Sequence, residues 1–130
     1  QNKREEMSNK GSMKTELINQ VYIRDEDNFL KKVHLKDIYY IETIKSTHYC
    51  RVVHKQGEGK IHADITPLEK QFDGKLFKTR SSTLINVDLV QKIDTKNRLI
   101  YFNKHICCSY AQRMSRKLKE KLGIADLKRR

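Results

Sequence analysis

No stretch of this chain approaches the roughly 20 consecutive apolar residues that crossing a bilayer requires. Its first ten residues, QNKREEMSNK, also lack the apolar centre of a secretory signal. Both absences point to a cytoplasmic protein without a membrane partner. Cysteine is scarce: Cys50 and the adjacent Cys107 and Cys108 make three, too few and too odd in number for the disulfide framework of a secreted domain. A vicinal disulfide would be strained, so the adjacent pair reads as free thiols. Successive residues of a strand face opposite ways, which turns one of the two inward and the other outward.

The furniture of catalysis is missing as well. There is no glycine-rich phosphate loop, no nucleophile elbow and no close carboxylate pair set among glycines, so no catalytic residue and no cofactor is expected. His48-x-Cys50-x-x-x-His54 has donors that suit zinc. It lacks a second paired set, however, and reads as a core cysteine flanked by exposed histidines, with no metal. Aromatic residues are only 8% of the chain and form no stacking motif, which weakens single-stranded RNA recognition.

Positive charge is abundant. Lys and Arg total 28 against 16 Asp and Glu, a formal net charge of +12 with a pI near 9.7. Such an excess favours a polyanionic partner. Between Tyr110 and Arg130 lie eight basic and two acidic residues, half of the whole excess. A charge run ordinarily marks a solvated helix face, but the size of this one points to phosphate.

The length of 130 residues and 37% hydrophobic content fit one modest domain. Residues 1–14 are polar and contain Gly11-Ser12, so they read as a linker or helical tail. The Gly11-Ser12-Met13 triplet is open to two readings, native linker or expression scar. From Thr15 the pattern is one of short strands. Leu17–Ile23 and Phe29–Leu35 form a hairpin across Asp25–Asn28. Ile38–Ile44 and Tyr49–His54 follow, and Gln56–Gly59 turns the chain toward Lys60–Ala63. One internal helix is expected, capped by Thr66, with Pro67 first, Leu68 and Phe72 on one face and Gly74 at its end. Leu89–Asp94, Arg98–Phe102 and Ile106–Cys108 are further strands, and Met114, Leu118 and Leu122 mark a C-terminal helix stopped by Gly123. Three segments set cations beside small polar side chains: Lys45-Ser46-Thr47-His48, Arg80-Ser81-Ser82 and Gln112-Arg113. A cation can neutralise phosphate while its neutral neighbour reaches phosphate or a base edge.

The succession YYIETIKSTHYCRVV, a short helix, FKTRSSTLINVDLVQKID, NRLIYF and a basic SYAQRMSRKLKEKL resembles the LytTR-type DNA-binding domain at the C-terminus of bacterial response regulators. The resemblance covers about residues 15–122. It implies a mainly β fold, an elongated arrangement of about ten short strands in small antiparallel sheets with one short internal helix and a C-terminal basic helix. It also implies a division into the tail of an upstream receiver domain (1–14), the DNA-binding domain (15–123) and a basic C-terminal tail (124–130). The implied function is sequence-specific duplex DNA binding by the output domain of a two-component system. Loops would enter successive major grooves at repeated half-sites of a promoter, with the protein as a dimer, and so control transcription. Carried over by position, His48 meets a base while Lys45 and Ser46 meet phosphate. Arg80 and Ser81 point outward where members often carry His-Arg or His-Asn. The shorter Ser81 keeps a base-contacting role while Arg80 takes phosphate, and Ser82 and Asn86 hold the turn. Near the C-terminus Arg113 takes the role of an arginine that members place after serine, with Gln112 left open by one residue of register; Arg116 and Lys117 meet phosphate. The alternative is an RNA-binding β-domain using the same basic surface.

Overall fold

The computed structural model describes residues 19–124. Leu17 and Ile18, the 1–14 tail and residues 125–130 therefore lie outside the described residues. Within them are ten strands: β1 (Gln20–Arg24), β2 (Leu30–His34), β3 (Ile38–Thr43), β4 (Tyr49–His54), β5 (Gly57–His62), β6 (Phe77–Arg80), β7 (Thr83–Ile85), β8 (Lys92–Asp94), β9 (Leu99–Tyr101) and β10 (Cys107–Ser109). Two α-helices join them, α1 (Ile65–Gln71) and α2 (Ser115–Leu122). All pairings are antiparallel, in a seven-stranded sheet ordered β2-β1-β5-β4-β3-β7-β6 and a three-stranded sheet ordered β10-β9-β8. The expected β1–β2 hairpin is present. Asp25 Oδ1 accepts the N–H groups of Asp27 and Phe29, both at 2.9 Å, and Asn28 takes a left-handed φ of 69°, as an Asp/Asn turn prefers.

Two apolar cores flank the central strands. Ile38 and Ile41 of β3 and Leu84 of β7 join one core with Val21, Ile23, Cys50, Val52 and the α1 residues Ile65 and Leu68. The neighbouring Ile85 enters the other, with Ile100, Phe102, Tyr110 and Leu118. Strand alternation explains how β7 serves both. A bulge between Ile38 and Tyr40 inserts one extra residue in β3. Two consecutive tyrosines thereby reach Phe102, with ring centroids 5.4 Å away for Tyr39 and 5.8 Å for Tyr40. That aromatic contact joins the three-stranded sheet to the larger one. Cys108 is buried and Cys107 half-buried, both as free thiols, and burial pushes the Cys108 thiol up to about 12.

Three expectations need correction. Gln56–Gly59 is not all turn: the reversal is confined to Lys55 and Gln56, and Gly57–Gly59 already belongs to β5. At Gly59 a Cβ would come within 2.6 Å of the Arg24 carbonyl oxygen, so glycine is there to let β1 approach β5. Helix α1 starts at Ile65 with Asp64 as its N-cap residue, which places Thr66 second and Pro67 third. Glu69, on the same helix, pairs with Lys78 at 3.3 Å. Finally, His54 is only 2% exposed; its Nδ1 accepts the Gln56 N–H at 3.3 Å.

Burial holds the His54 pKa below its ordinary value of 6.5, opposed in part by the Gln56 side chain, whose Oε1 lies 3.3 Å from Nδ1. The unfolded chain therefore takes up a proton below pH 6.5 that the folded one resists. This stability is fully present above the unfolded value and is lost as pH falls from there through the lowered folded value, at no more than about 1.4 kcal/mol per unit. Denaturant titrations at about pH 7.5 and about pH 5.5 should show a smaller loss for His54→Gln than for the parent. Equal losses would remove His54 as the cause.

Candidate nucleic-acid interface

The pairing registers bring three loops to one end of the seven-stranded sheet. Thr43 pairs with Cys50, so the Ile44–His48 loop closes β3 and β4 there. Glu42 pairs with Thr83, which sets the Ser81-Ser82 turn beside that loop, and the Thr43 N–H donates to the Ser82 carbonyl at 3.0 Å. Tyr49 pairs with His62, so β5 ends at the same place and delivers Ala63 and Asp64. The C-terminal segment is stitched on: the Ala111 N–H donates to the Thr79 carbonyl at 3.0 Å, and Arg80 Nη1 donates to Ser109 Oγ at 3.4 Å. Asn86 steadies the far end of β7, donating from Nδ2 to the buried Leu35 carbonyl at 3.1 Å and accepting the Asp88 N–H at 3.2 Å.

Lys45, Ser46 and His48 are all exposed on the first loop. Thr47 Oγ1 shapes it, donating to the Ile44 carbonyl at 2.7 Å and accepting the Tyr49 N–H at 3.0 Å. Ser46 sits at φ 64°, a left-handed conformation uncommon for serine. Arg80 and Ser81 are exposed on the second loop, with Ser82 half-buried. Gln112 and Arg113 are exposed in a 3-10 turn, Gln112–Met114, that leads into α2. Arg113 joins Arg80, Lys117, Lys78 and Lys121 around an open groove of about 370 Å³ between β6 and α2. Gln112 and Arg116 do not line that groove, although both are exposed. The candidate zinc donors are otherwise engaged: the Cys50 thiol donates to the Ala63 carbonyl at 3.2 Å, His54 is paired with Gln56, and His48 Nδ1 lies 3.0 Å from Asp64 Oδ1.

Several residues at this end escape a linear reading. Tyr49 stacks on His62 with ring centroids 4.8 Å apart, and Lys60 sits 5.9 Å from the Tyr49 centroid. Lys78 and Lys121 enter the groove through β6 and α2, and Asp64 reaches His48 from 16 residues away. Their types gave no sign of it; only strand register, which places His62 opposite Tyr49, brings them together.

Among the described residues, the β scaffold gathers loop cations and hydroxyls at one end and leaves no helix isolated for insertion, an arrangement unlike that of helix-turn-helix readers. Residues 29–123 match the family described as the LytTr DNA-binding domain. The chain belongs to this family of DNA-binding domains, which is not an enzymatic one. Among solved structures it is similar to the LytTr DNA-binding domain of a methyl-accepting/DNA response regulator from Bacillus cereus, with 16% identity and a TM-score of 0.69. That likeness covers 82% of this chain and 98% of the other. No curated protein sequence matches significantly. Among the described residues, no helix is long and apolar enough to cross a membrane.

Proposed function

We propose that this domain is the output module of a response regulator that reads promoter DNA through the loops at one end of its larger sheet. The observation that carries the reading is the shared placement of the Ile44–His48 loop, the Ser81-Ser82 turn and the Gln112–Arg113 segment. His48, Ser81 and Arg113 present hydrogen-bonding groups to base edges, with Gln112 the neighbour that could replace Arg113. Lys45, Ser46, Arg80, Arg116 and Lys117 engage phosphate, the guanidinium groups in bidentate fashion and the lysines as flexible point charges. An upstream receiver domain that dimerises would raise the effective concentration of a second copy, so that two domains occupy repeated half-sites without improving either contact. The alternative of an RNA-binding β-domain draws on one observation, the stacked Tyr49 and His62 rings beside Lys60, because stacking serves single strands.

Paired titrations test these roles with a duplex site selected from a random pool, a mixed-sequence duplex and a mixed single-stranded RNA. His48→Ala should cost on the order of 1–3 kcal/mol on the selected site and little on the mixed duplex, whereas Lys45→Ala should weaken both similarly. Arg113→Ala should follow the His48 pattern. Equal losses on both duplexes for a folded His48→Ala protein would end its base-reading role, and preference for the RNA over both duplexes would favour the alternative.

A further inference from the structure

Helix α1 has an aspartate at its N-cap that does not cap. Asp64 has the extended backbone of an N-cap residue, yet its side chain accepts no hydrogen bond from the helix. A capping carboxylate takes the N–H of the second or third helical residue. The third here is Pro67, which has none. The carboxylate turns instead across the end of the sheet, where Oδ1 lies 3.0 Å from Nδ1 of His48. Both side chains are largely exposed, 57% for Asp64 and 80% for His48, and an exposed pair of this kind adds little to stability. Nor is a carboxylate an expected neighbour for DNA, since it repels phosphate.

We propose that Asp64 is a positioning residue that sets the sequence selectivity of His48 without touching DNA, a proposal that rests on the base-reading role given to His48 above. An ionised carboxylate only accepts hydrogen bonds, so the shared hydrogen belongs to Nδ1. The ring is thereby held in one orientation and one tautomer, as a carboxylate does for a metal-bound histidine. Nε2 is the ring nitrogen left for a base. In the neutral ring it is an acceptor, matched to the amino groups of adenine N6 and cytosine N4 and mismatched to guanine N7 and O6. Holding the ring before binding also removes part of the ordering cost of the contact.

The two roles of Asp64, repelling phosphate and holding His48, predict opposite signs. In the full chain, Asp64→Ala should strengthen binding to a mixed-sequence duplex by a factor of about 2 as a negative charge leaves the rim. It should also lower the ratio of selected-site to mixed-duplex affinity by roughly 5- to 20-fold. Asp64→Asn, whose amide oxygen still accepts from Nδ1, should keep most of that ratio. In a His48→Ala background, Asp64→Ala should leave the ratio where it is. Long-range proton–nitrogen NMR of the free protein reads the tautomer directly: the neutral His48 ring should carry its proton on Nδ1 in the parent and shift toward Nε2 in Asp64→Ala. A parent ring protonated on Nε2 overturns the proposal. So does an unchanged ratio in Asp64→Ala when His48→Ala collapses it. If His48→Ala itself leaves the ratio unchanged, the base-reading role of His48 falls and the proposal falls with it.

Discussion

Raising monovalent salt from about 50 mM to about 200 mM should weaken duplex binding by roughly 150-fold. The figure follows from the four cations assigned to phosphate, Lys45, Arg80, Arg116 and Lys117, all exposed in the free protein. Each phosphate neutralised by a cation releases condensed counterions, and the log-log slope is about −0.9 per contact, so four contacts give a slope of about −3.6. Removing Lys45 alone should bring it to about −2.7, because one contact is lost while the others persist. Glu69 lines the same groove as Arg80 and Lys117, and Asp64 lies beside His48; neither is part of the count, since a carboxylate close to the duplex would lower affinity without adding to the slope. Fluorescence anisotropy with a labelled duplex over a salt series measures it. A slope near zero would show that the +12 net charge serves some purpose other than phosphate.

Much of the architecture was legible in the sequence because strands leave a local mark. The runs at Ile38–Ile44 and Tyr49–His54 contain β-branched and aromatic residues in strand-length blocks, and β3 and β4 lie within them. The C-terminal helix was equally open: Leu118 and Leu122 recur at one turn's spacing, and Gly123 adopts a left-handed φ of 72° as its stop. What failed was local signal overruled by distant contact. Gly57 and Gly59 resemble a turn, and nothing nearby in the chain reveals that β1 will cross close enough to require a bare Cα at Gly59. His54 looks exposed by type, yet β4 is central in its sheet and the last three residues of the strand are all buried.

The candidate site shows the same division. Cations beside hydroxyls mark the loops, and loops are where a β scaffold presents function. Which loops share an end depends on register, through Glu42 opposite Thr83 and Tyr49 opposite His62. The Asp64–His48 pair depends on that register too, and on Pro67 at the third helical position, whose effect can be traced only once the helix start is known to be Ile65. The groove around Arg113 adds Lys78 and Lys121 by the same route, since β6 and α2 are 35 or more residues apart in the chain.

Leu118→Ala should lower the melting temperature by roughly 8–20 °C, which corresponds to a loss of about 2–5 kcal/mol at about 4 °C per kcal/mol for a domain of this size. Leu118 has no exposed surface and packs into the core formed by Ile85, Ile100, Phe102, Cys108 and Tyr110. Its helix has eight residues, too few to persist in water on intrinsic propensity, so α2 depends on this anchor. Leu122, half-buried against the same core, loses less on truncation, and Leu122→Ala should fall by well under half as much. The functional consequence is selective. Lys117 and Lys121 ride on α2 and Arg113 leads into it, so loosening the helix disperses the groove cations, weakens binding to any duplex and removes the share of discrimination given to Arg113. The Ile44–His48 loop is held by β3 and β4 over the other core, and the discrimination supplied by His48 should survive below the new melting point. Circular dichroism melts of the two alanine variants, followed by titration with selected and mixed duplexes at low temperature, separate these effects. A melting shift at Leu118 no larger than that at Leu122 would show that α2 is not anchored there, and a folded Leu118→Ala protein in which His48→Ala no longer lowers selected-site affinity would show that the two cores are not independent supports of the interface.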